Sequence, residues 1–436
     1  MPEAAETALA ALRAAGRARF EADGLPSTKA EAWRYFPTRA LRGRDLLTPA
    51  AGGALAVTRD DVLAHVISGV SGVAVFVDGA FIDGLSFLGG LPDGVRVGGL
   101  GATLAEGEAV LADVLGRVAD VARDGLVAAN AAAFTDGLRL DVAKGIVVEA
   151  PVLALFLRSD AGVVCQPRSV VTLGRGAAVT LVTRHVAVGA AAGEGGGELV
   201  DNAVLEVLLG EGAALRHVVA DEGGAGFSVL HTHVKLSRDA RYRGFLLSLG
   251  EGDGRASFAL ELAGEGTECE LDGLVVARGG ARRDVFTDVD HQVPHTRSAQ
   301  GFAALADDKA TATYQGRVSI REGARRADAR QQSRNLILSE GAQVHTKPEL
   351  RIDNDDVAAA HGTTVGQLDE GALFYLASRG FSPEEARRVL TAAFAGEALE
   401  SLGDEPWALA LRRIATGRLP GGRLEDAADG TEESAS

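Results

Sequence analysis

Cysteine is nearly absent. Cys165 and Cys269 are the two in 436 residues, too few for a disulfide framework or for a four-thiolate zinc or iron-sulfur site built from one chain. A reducing compartment is the expectation. Aromatic residues reach only 5%, sparse for a groove that stacks sugars. Positive charge is in deficit: 44 Lys and Arg against 60 Asp and Glu leave a net charge of −16, which makes nucleic acid and anionic membranes poor partners. Long apolar runs are missing too. The most apolar stretch, 145–157, is broken by Glu149 and Pro151 and falls short of the ~20 residues of a membrane helix. The N-terminus places Glu3 and Glu6 ahead of its arginines without a signal peptide's apolar core. A soluble, cytoplasmic chain is expected.

The common small-molecule motifs are missing as well. There is no GxxxxGK[ST] loop, no GxGxxG between a strand and a helix, no GxSxG elbow and no HExxH. An ATP or dinucleotide site and the commonest hydrolase and zinc-peptidase chemistries therefore drop out.

Glycine, by contrast, is abundant: 56 residues, nearly twice the ~7% of average usage. It follows turns. From about 145 to 352, short Val/Leu/Ile runs alternate with Gly, Asp and Arg, and no long segment keeps a helical period. An aliphatic residue is followed three positions later by Gly or Asp and then Ala, in Leu173-Gly176-Ala177, Leu209-Gly212-Ala213, Leu236-Asp239-Ala240, Ile320-Gly323-Ala324 and Leu338-Gly341-Ala342. Irregular repeats of this kind suit stacked coils, each needing its neighbour to bury the inward aliphatic face. A right-handed parallel β-helix is the natural candidate, with a β-sandwich or barrel as the alternative.

Helices flank this core. Leu9, Leu12 and Phe20 share a face, Thr28 and Glu31 have capping-box spacing ahead of Trp33 and Phe36, and a helix is expected over 105–129. A strand-like run, Val73 to Val77, precedes Asp78-Gly79. At the other end, Ser382-Pro383-Glu384-Glu385 reads as N-cap, first turn and capping box. Ala386, Val389, Leu390, Ala393 and Phe394 then form an apolar face. Gly380 ends a preceding helix, and Trp407, Leu411 and Ile414 point inward from a third. The organisation is a helical and mixed region (1–135), a β-helix core (136–356), a helical region (357–419) and an acidic disordered tail (420–436).

Several residues are candidate ligands. His231 and His233 fall on one face of a strand and could chelate a metal, or be ordinary exposed strand histidines. Asp288, Asp290, His291 and His295 suggest a divalent-metal cluster or a solvated corner. His361 stands where the β region meets the terminal helices, as a functional residue or as a buried histidine bonded to a backbone carbonyl.

The stretch 333–400, SRNLILSEGAQVHTKPELRIDNDDVAAAHGTTVGQLDEGALFYLASRGFSPEEARRVLTAAFAGEALE, resembles the C-terminal signature of the SufB/SufD family of iron-sulfur cluster assembly proteins. GLPSTKAEAWRYF (24–36) and NAAAFTDG (130–137) resemble the N-terminal motif of its SufD branch and the segment just before the core. The resemblance implies a right-handed parallel β-helix flanked by helices. It also implies a non-catalytic scaffold in a complex with a SufB-like subunit and a SufC-like ATPase, or a homodimer, so that the nucleotide site lies in a partner. His361-Gly362 is similar to the SufD form, whereas SufB has His-Glu. The position of the SufB thiol, set by the His345 to Pro348 step, holds Ala342, and a cysteine common in SufD is Ala359. The family reading thus leaves His361 as the candidate metal ligand, facing a SufB cysteine across a seam and holding a transient iron-sulfur cluster shared with it. Phe374, Tyr375, Leu390 and Phe394 are the candidate ATPase-docking residues. The competing classes are a polysaccharide-processing β-helix using Asp284, Asp288 and Asp290, and a homodimeric iron-binding protein.

Overall fold

In a computed structural model, which describes residues 2–49, 57–106, 114–159, 162, 164–192, 199–224 and 226–421, the chain winds into a parallel β-solenoid of about seven turns. The β-helix expected from the aliphatic runs is the architecture, and the sandwich and barrel are not. Two ten-stranded sheets face each other across the coil, and strands alternate between them along the chain. We call the sheet that ends in Ala358–Gly366 sheet I and the one that ends in Gln343–Ile352 sheet II.

Parallel register puts like residues on like. Val234, Leu260, Val289, Val318 and Leu350 stack as one inward column of sheet II, within an aliphatic interior that runs the length of the coil. Each such side chain contributes roughly 1.5–3 kcal/mol when fully buried. At the corners, Gly176, Gly212 and Asp239 have positive φ (65°, 63° and 55°) and are followed by the fully buried Ala177, Ala213 and Ala240, as the repeat requires. The last two repeats differ. Ala324 and Ala342 are buried, but neither Gly323 nor Gly341 has a positive φ, and the left-handed residue of the first of these corners is Arg326 (φ 56°).

Terminal segments clothe the outer faces. Helices Pro383–Leu399 and Pro406–Gly417 cover sheet I, burying Ala395, Leu399, Trp407, Leu411 and Ala415 against Phe245, Leu247, Leu274 and Leu305. The Ser382 capping box, Pro383 in the first turn and the left-handed Gly380 (φ 94°) are as the sequence indicates. The inward face of Pro383–Leu399 is rotated from the expected one: Ala386, Thr391, Ala395 and Leu399 are buried, Leu390 and Phe394 are half-buried and Ala393 is exposed.

Sheet II is covered by helices Pro2–Asp23 and Gly125–Ala133 and the segment between Leu25 and Leu46. The Thr28–Glu31 capping box does not form; Glu31–Trp33 is a 3-10 turn capped at Ala30 without a side-chain bond. The single helix expected over 105–129 is not present either. Leu100–Glu106 and Gly125–Ala133 are separate helices, and Asp124 caps the second through Leu126 N–H. Residues 107–113 of that expectation, and the acidic tail from 422, lie outside the described residues. The cover is pinned by Glu206, wholly buried, which pairs with Arg168 at 2.7 Å and accepts backbone N–H groups of Gly116, Val118 and Ala119.

The sheets extend beyond the sequence-based core of 136–356. Strand Gly72–Val77 pairs in parallel with Val152–Arg158, and Ala358–Gly366 pairs with Asp328–Ile337, so sheet I runs from 72 to 366. The helical C-terminal region starts only at Glu370.

Candidate functional site at the open end of the solenoid

Both sheets stop at the same end. Strands Gln343–Ile352 and Ala358–Gly366 contain no buried residue, and Ile352 and Val365 are exposed hydrophobics. Among the described residues, Ala358–Gly366 pairs only with Asp328–Ile337, so its outer edge is free to take another strand. His361 lies mid-strand, in register with Gln331. Ala359, His361, Thr363 and Val365 therefore follow the inward column Ala329, Gln331, Ser333 and Asn335, all buried. Thr363 Oγ1 meets Thr346 Oγ1 of the facing sheet at 3.3 Å, which confirms the inward direction. His361 is exposed because, among the described residues, no further coil covers it. The alternative of a buried histidine held by a carbonyl is thereby overturned.

Beneath this rung the interior changes from aliphatic to polar. Gln300 Oε1 accepts from Thr287 at 2.5 Å and Tyr314 at 3.2 Å. Gln300 Nε2 and both amide atoms of Gln331 are buried without partners among the described residues, which is unusual for native interiors. Sequence reasoning did not single out these glutamines. Their signal is parity: they occupy inward positions two rungs and one rung below His361. Ala342 is buried at a corner and Ala359 half-buried.

The other candidates fall elsewhere. His231 and His233 do share a face of strand Phe227–Leu236, yet both are buried beneath the N-terminal cover rather than exposed. Burial pushes His231 down to about 4 and His233 well below the usual histidine range. Asp288 and Asp290 lie not in a turn but on strand Arg282–His291, paired with Arg317 (2.9 Å) and Arg321 (2.5 Å). His291 faces the opposite way, bonded to Thr296 at 2.7 Å and Ser298 at 2.8 Å, and His295 is a left-handed corner (φ 60°). Asp284 is fully buried against Arg255. Among the described residues, no three His, Cys, Asp or Glu side chains converge as a metal site. The proposed cluster and the carboxylate groove are therefore not formed.

Beyond the open end, helix Glu370–Ser378 buries none of its residues. Phe374 and Tyr375 are 77% and 57% exposed, with Phe381 close by in sequence and also exposed. Leu390 and Phe394 differ from them: Phe394 packs against the sheet I cluster, with the Arg334 guanidinium 5.7 Å from its ring.

Comparison with known proteins sharpens this picture. Residues 156–394 match the family model described as SUF system FeS cluster assembly, SufBD core domain, and residues 1–153 match the SufBD protein N-terminal region. The chain belongs to the SufBD family. It is 27% identical over 406 residues to the iron-sulfur cluster assembly protein SufD of Escherichia coli, covering 92% of this chain and 90% of that protein. A SufBD family protein of Synechocystis sp. is 28% identical over 387 residues, 87% and 84% of the two chains. SufD of Bacillus subtilis is 29% identical over 282 residues, 64% and 63%. This SufBD chain is an iron-sulfur cluster assembly protein. Among the described residues no helix is long and apolar enough to cross a membrane.

Proposed function

We propose that the chain is the SufD-like scaffold of a complex with a SufB-like subunit and a SufC-like ATPase, and that its open rung forms the seam with the SufB-like subunit. The observation that carries this is a terminal strand whose outer edge is unpaired among the described residues and which bears an exposed, inward-directed His361. Docked against the matching end of a partner, this strand gains hydrogen bonds along its free edge. His361 is then enclosed between two coils, where imidazole is a fitting ligand for iron. The iron-sulfur cluster is cargo there, held jointly with a thiolate from the partner, with Gln331 in register with His361 one rung below. Helix Glu370–Ser378 presents Phe374 and Tyr375 to the ATPase, an aromatic anchor of the kind that dominates protein interfaces. Nucleotide-driven movement of the ATPases pulls this helix and opens or closes the seam.

The test is His361→Ala in the co-expressed complex, purified without oxygen. Complex yield and melting temperature stay as in the wild type, while cluster content after reconstitution drops at least fivefold. Equal cluster content in the two complexes contradicts the assignment. A chain that stays a homodimer when SufB-like and SufC-like partners are supplied contradicts the scaffold reading itself and favours the homodimeric iron-binding alternative.

A further inference from the structure

The chain carries a net charge of −16, yet its turn-rich loop 24–44 carries +4: Lys29, Arg34, Arg39, Arg42 and Arg44 stand against Glu31 alone. That one carboxylate is already taken, by Lys347 of the terminal strand of sheet II. Lys29, Arg34, Arg39 and Arg42 are exposed and Arg44 is half-buried. Among the described residues none of the five forms an ion pair, so their charge is left to act outward.

The loop backbone is pinned beneath these cations. Trp33, Phe36 and Leu41 are buried in one cluster with Phe227 and Val229. Trp33 Nε1–H donates to Asp124 at 2.7 Å and Thr38 Oγ1 donates to the Pro26 carbonyl at 2.7 Å. Turns close at Trp33 N–H to Ala30 O (2.9 Å) and Leu41 N–H to Thr38 O (3.0 Å). A partner that binds here pays little to order the backbone.

Position indicates which partner that is. Tyr35 stacks on His345 with the ring centroids 4.7 Å apart, and Gln315 Nε2 donates to the Ala32 carbonyl at 3.3 Å. The loop therefore lies over the last two strands of sheet II. His345 and Lys347 belong to Gln343–Ile352, whose outer edge is unpaired among the described residues. A subunit that adds at that edge arrives beside Arg34. Carboxylates suit these cations. A platform for nucleic-acid bases is missing, because Trp33 and Phe36 are buried and Tyr35 is engaged by His345.

We propose that loop 24–44 is a second docking surface at the open end, taking an acidic segment of the SufB-like subunit that seats on the terminal rung. This rests on the seam reading above and adds to it the charge of the partner next to the seam. Its signature is salt dependence, since attraction between exposed charges is screened and acts mainly on encounter and orientation.

Association of the full-length chain with a SufB-like subunit is measured by biolayer interferometry at about 0.1 and 1 M sodium chloride, over which the Debye length falls from about 10 to 3 Å. Wild-type affinity is expected to drop at least tenfold between the two. Arg34→Glu/Arg39→Glu binds at least tenfold more weakly at low salt and loses most of the salt dependence. Lys144→Glu/Arg175→Glu makes the same charge change at exposed positions of the first coils and binds as the wild type. Val365→Asp, within the seam, weakens binding at both salt concentrations. All these side chains are exposed, and melting temperatures check that each variant is folded; Arg34→Gln alone decides the matter if the double variant is not. Weakening by Val365→Asp with the loop variant unchanged, or equal weakening by both charge-reversed pairs, overturns the proposal and leaves the seam standing. Full binding by both the loop variant and Val365→Asp overturns the seam reading and this proposal with it.

Discussion

The two ends of the solenoid are built from the same coil and finished differently. At the N-terminal end, Gly72–Val77 is buried at all six positions and turns back through the left-handed pair Asp78 and Gly79 (φ 47° and 90°) into the antiparallel Ala80–Phe81. That is a two-residue hairpin of the kind Asp-Gly favours. Phe81, Phe76 and Phe156 stack there at 5.5 and 4.6 Å. Sheet II is likewise closed by the antiparallel Val95–Gly99. At the C-terminal end, among the described residues, neither sheet has a cap, and the last rung carries His361, Thr363 and Val365 into solvent. An edge strand left long, flat and uncharged is an invitation to pairing. The lesson is that repetition sets the coil, while the proposed seam falls where the repetition is left unfinished.

The comparison breaks most visibly through matched substitutions at equivalent inward or core-facing positions. Val75→Asp, at a position with no exposure, is expected to cost roughly 3–5 kcal/mol. Val365→Asp leaves the isolated chain within about 0.5 kcal/mol of wild type, while weakening association with a SufB-like subunit at least tenfold. Urea unfolding and pull-down titration read the two effects. Equal destabilisation by both substitutions would show that the last rung is not open. Next in size, Glu206→Ala strands Arg168 in the core and removes the acceptor for three N–H groups of the cover. A loss of about 3 kcal/mol is expected, with limited proteolysis opening the N-terminal cover and sparing the open end.

The smallest effect is a pH dependence under the C-terminal cover. Burial, reinforced by Glu270, raises Asp272 from 3.8 to about 6. A carboxyl whose folded pKa is raised binds its proton more tightly when folded, so this group's contribution to stability falls as pH rises from about 4 to 6. Asp272→Asn is expected to flatten that slope and to stabilise the protein at pH 7 by about 1–2 kcal/mol. Thermal melts at pH 4.5 and 7 compare the two proteins.

What could be read from the sequence was whatever is local or periodic. The inward aliphatic columns, the corners at Gly176, Gly212 and Asp239, and the helix start at Ser382 depend on neighbours a few residues away, and all three are realised. What could not be read depends on distant partners. Thr28 and Glu31 have capping spacing, but Glu31 pairs with Lys347, and Trp33 is held by Asp124 and stacked on Arg255. Tertiary contacts outweigh the local signal there. A two-residue alternation also places His361 on the inward face without revealing that its rung is the last, so its exposure was hidden. His231 and His233 were legible as a pair, whereas their burial comes from a cover folded back from the first 130 residues.

Hydrogen exchange on the chain, alone and in complex with its SufB-like and SufC-like partners, tests the central claim most directly. Strong added protection over 343–352 and 358–366 is expected on complex formation, with no change over 72–81. Complex formation that leaves 358–366 exchanging as fast as in the free chain would contradict it.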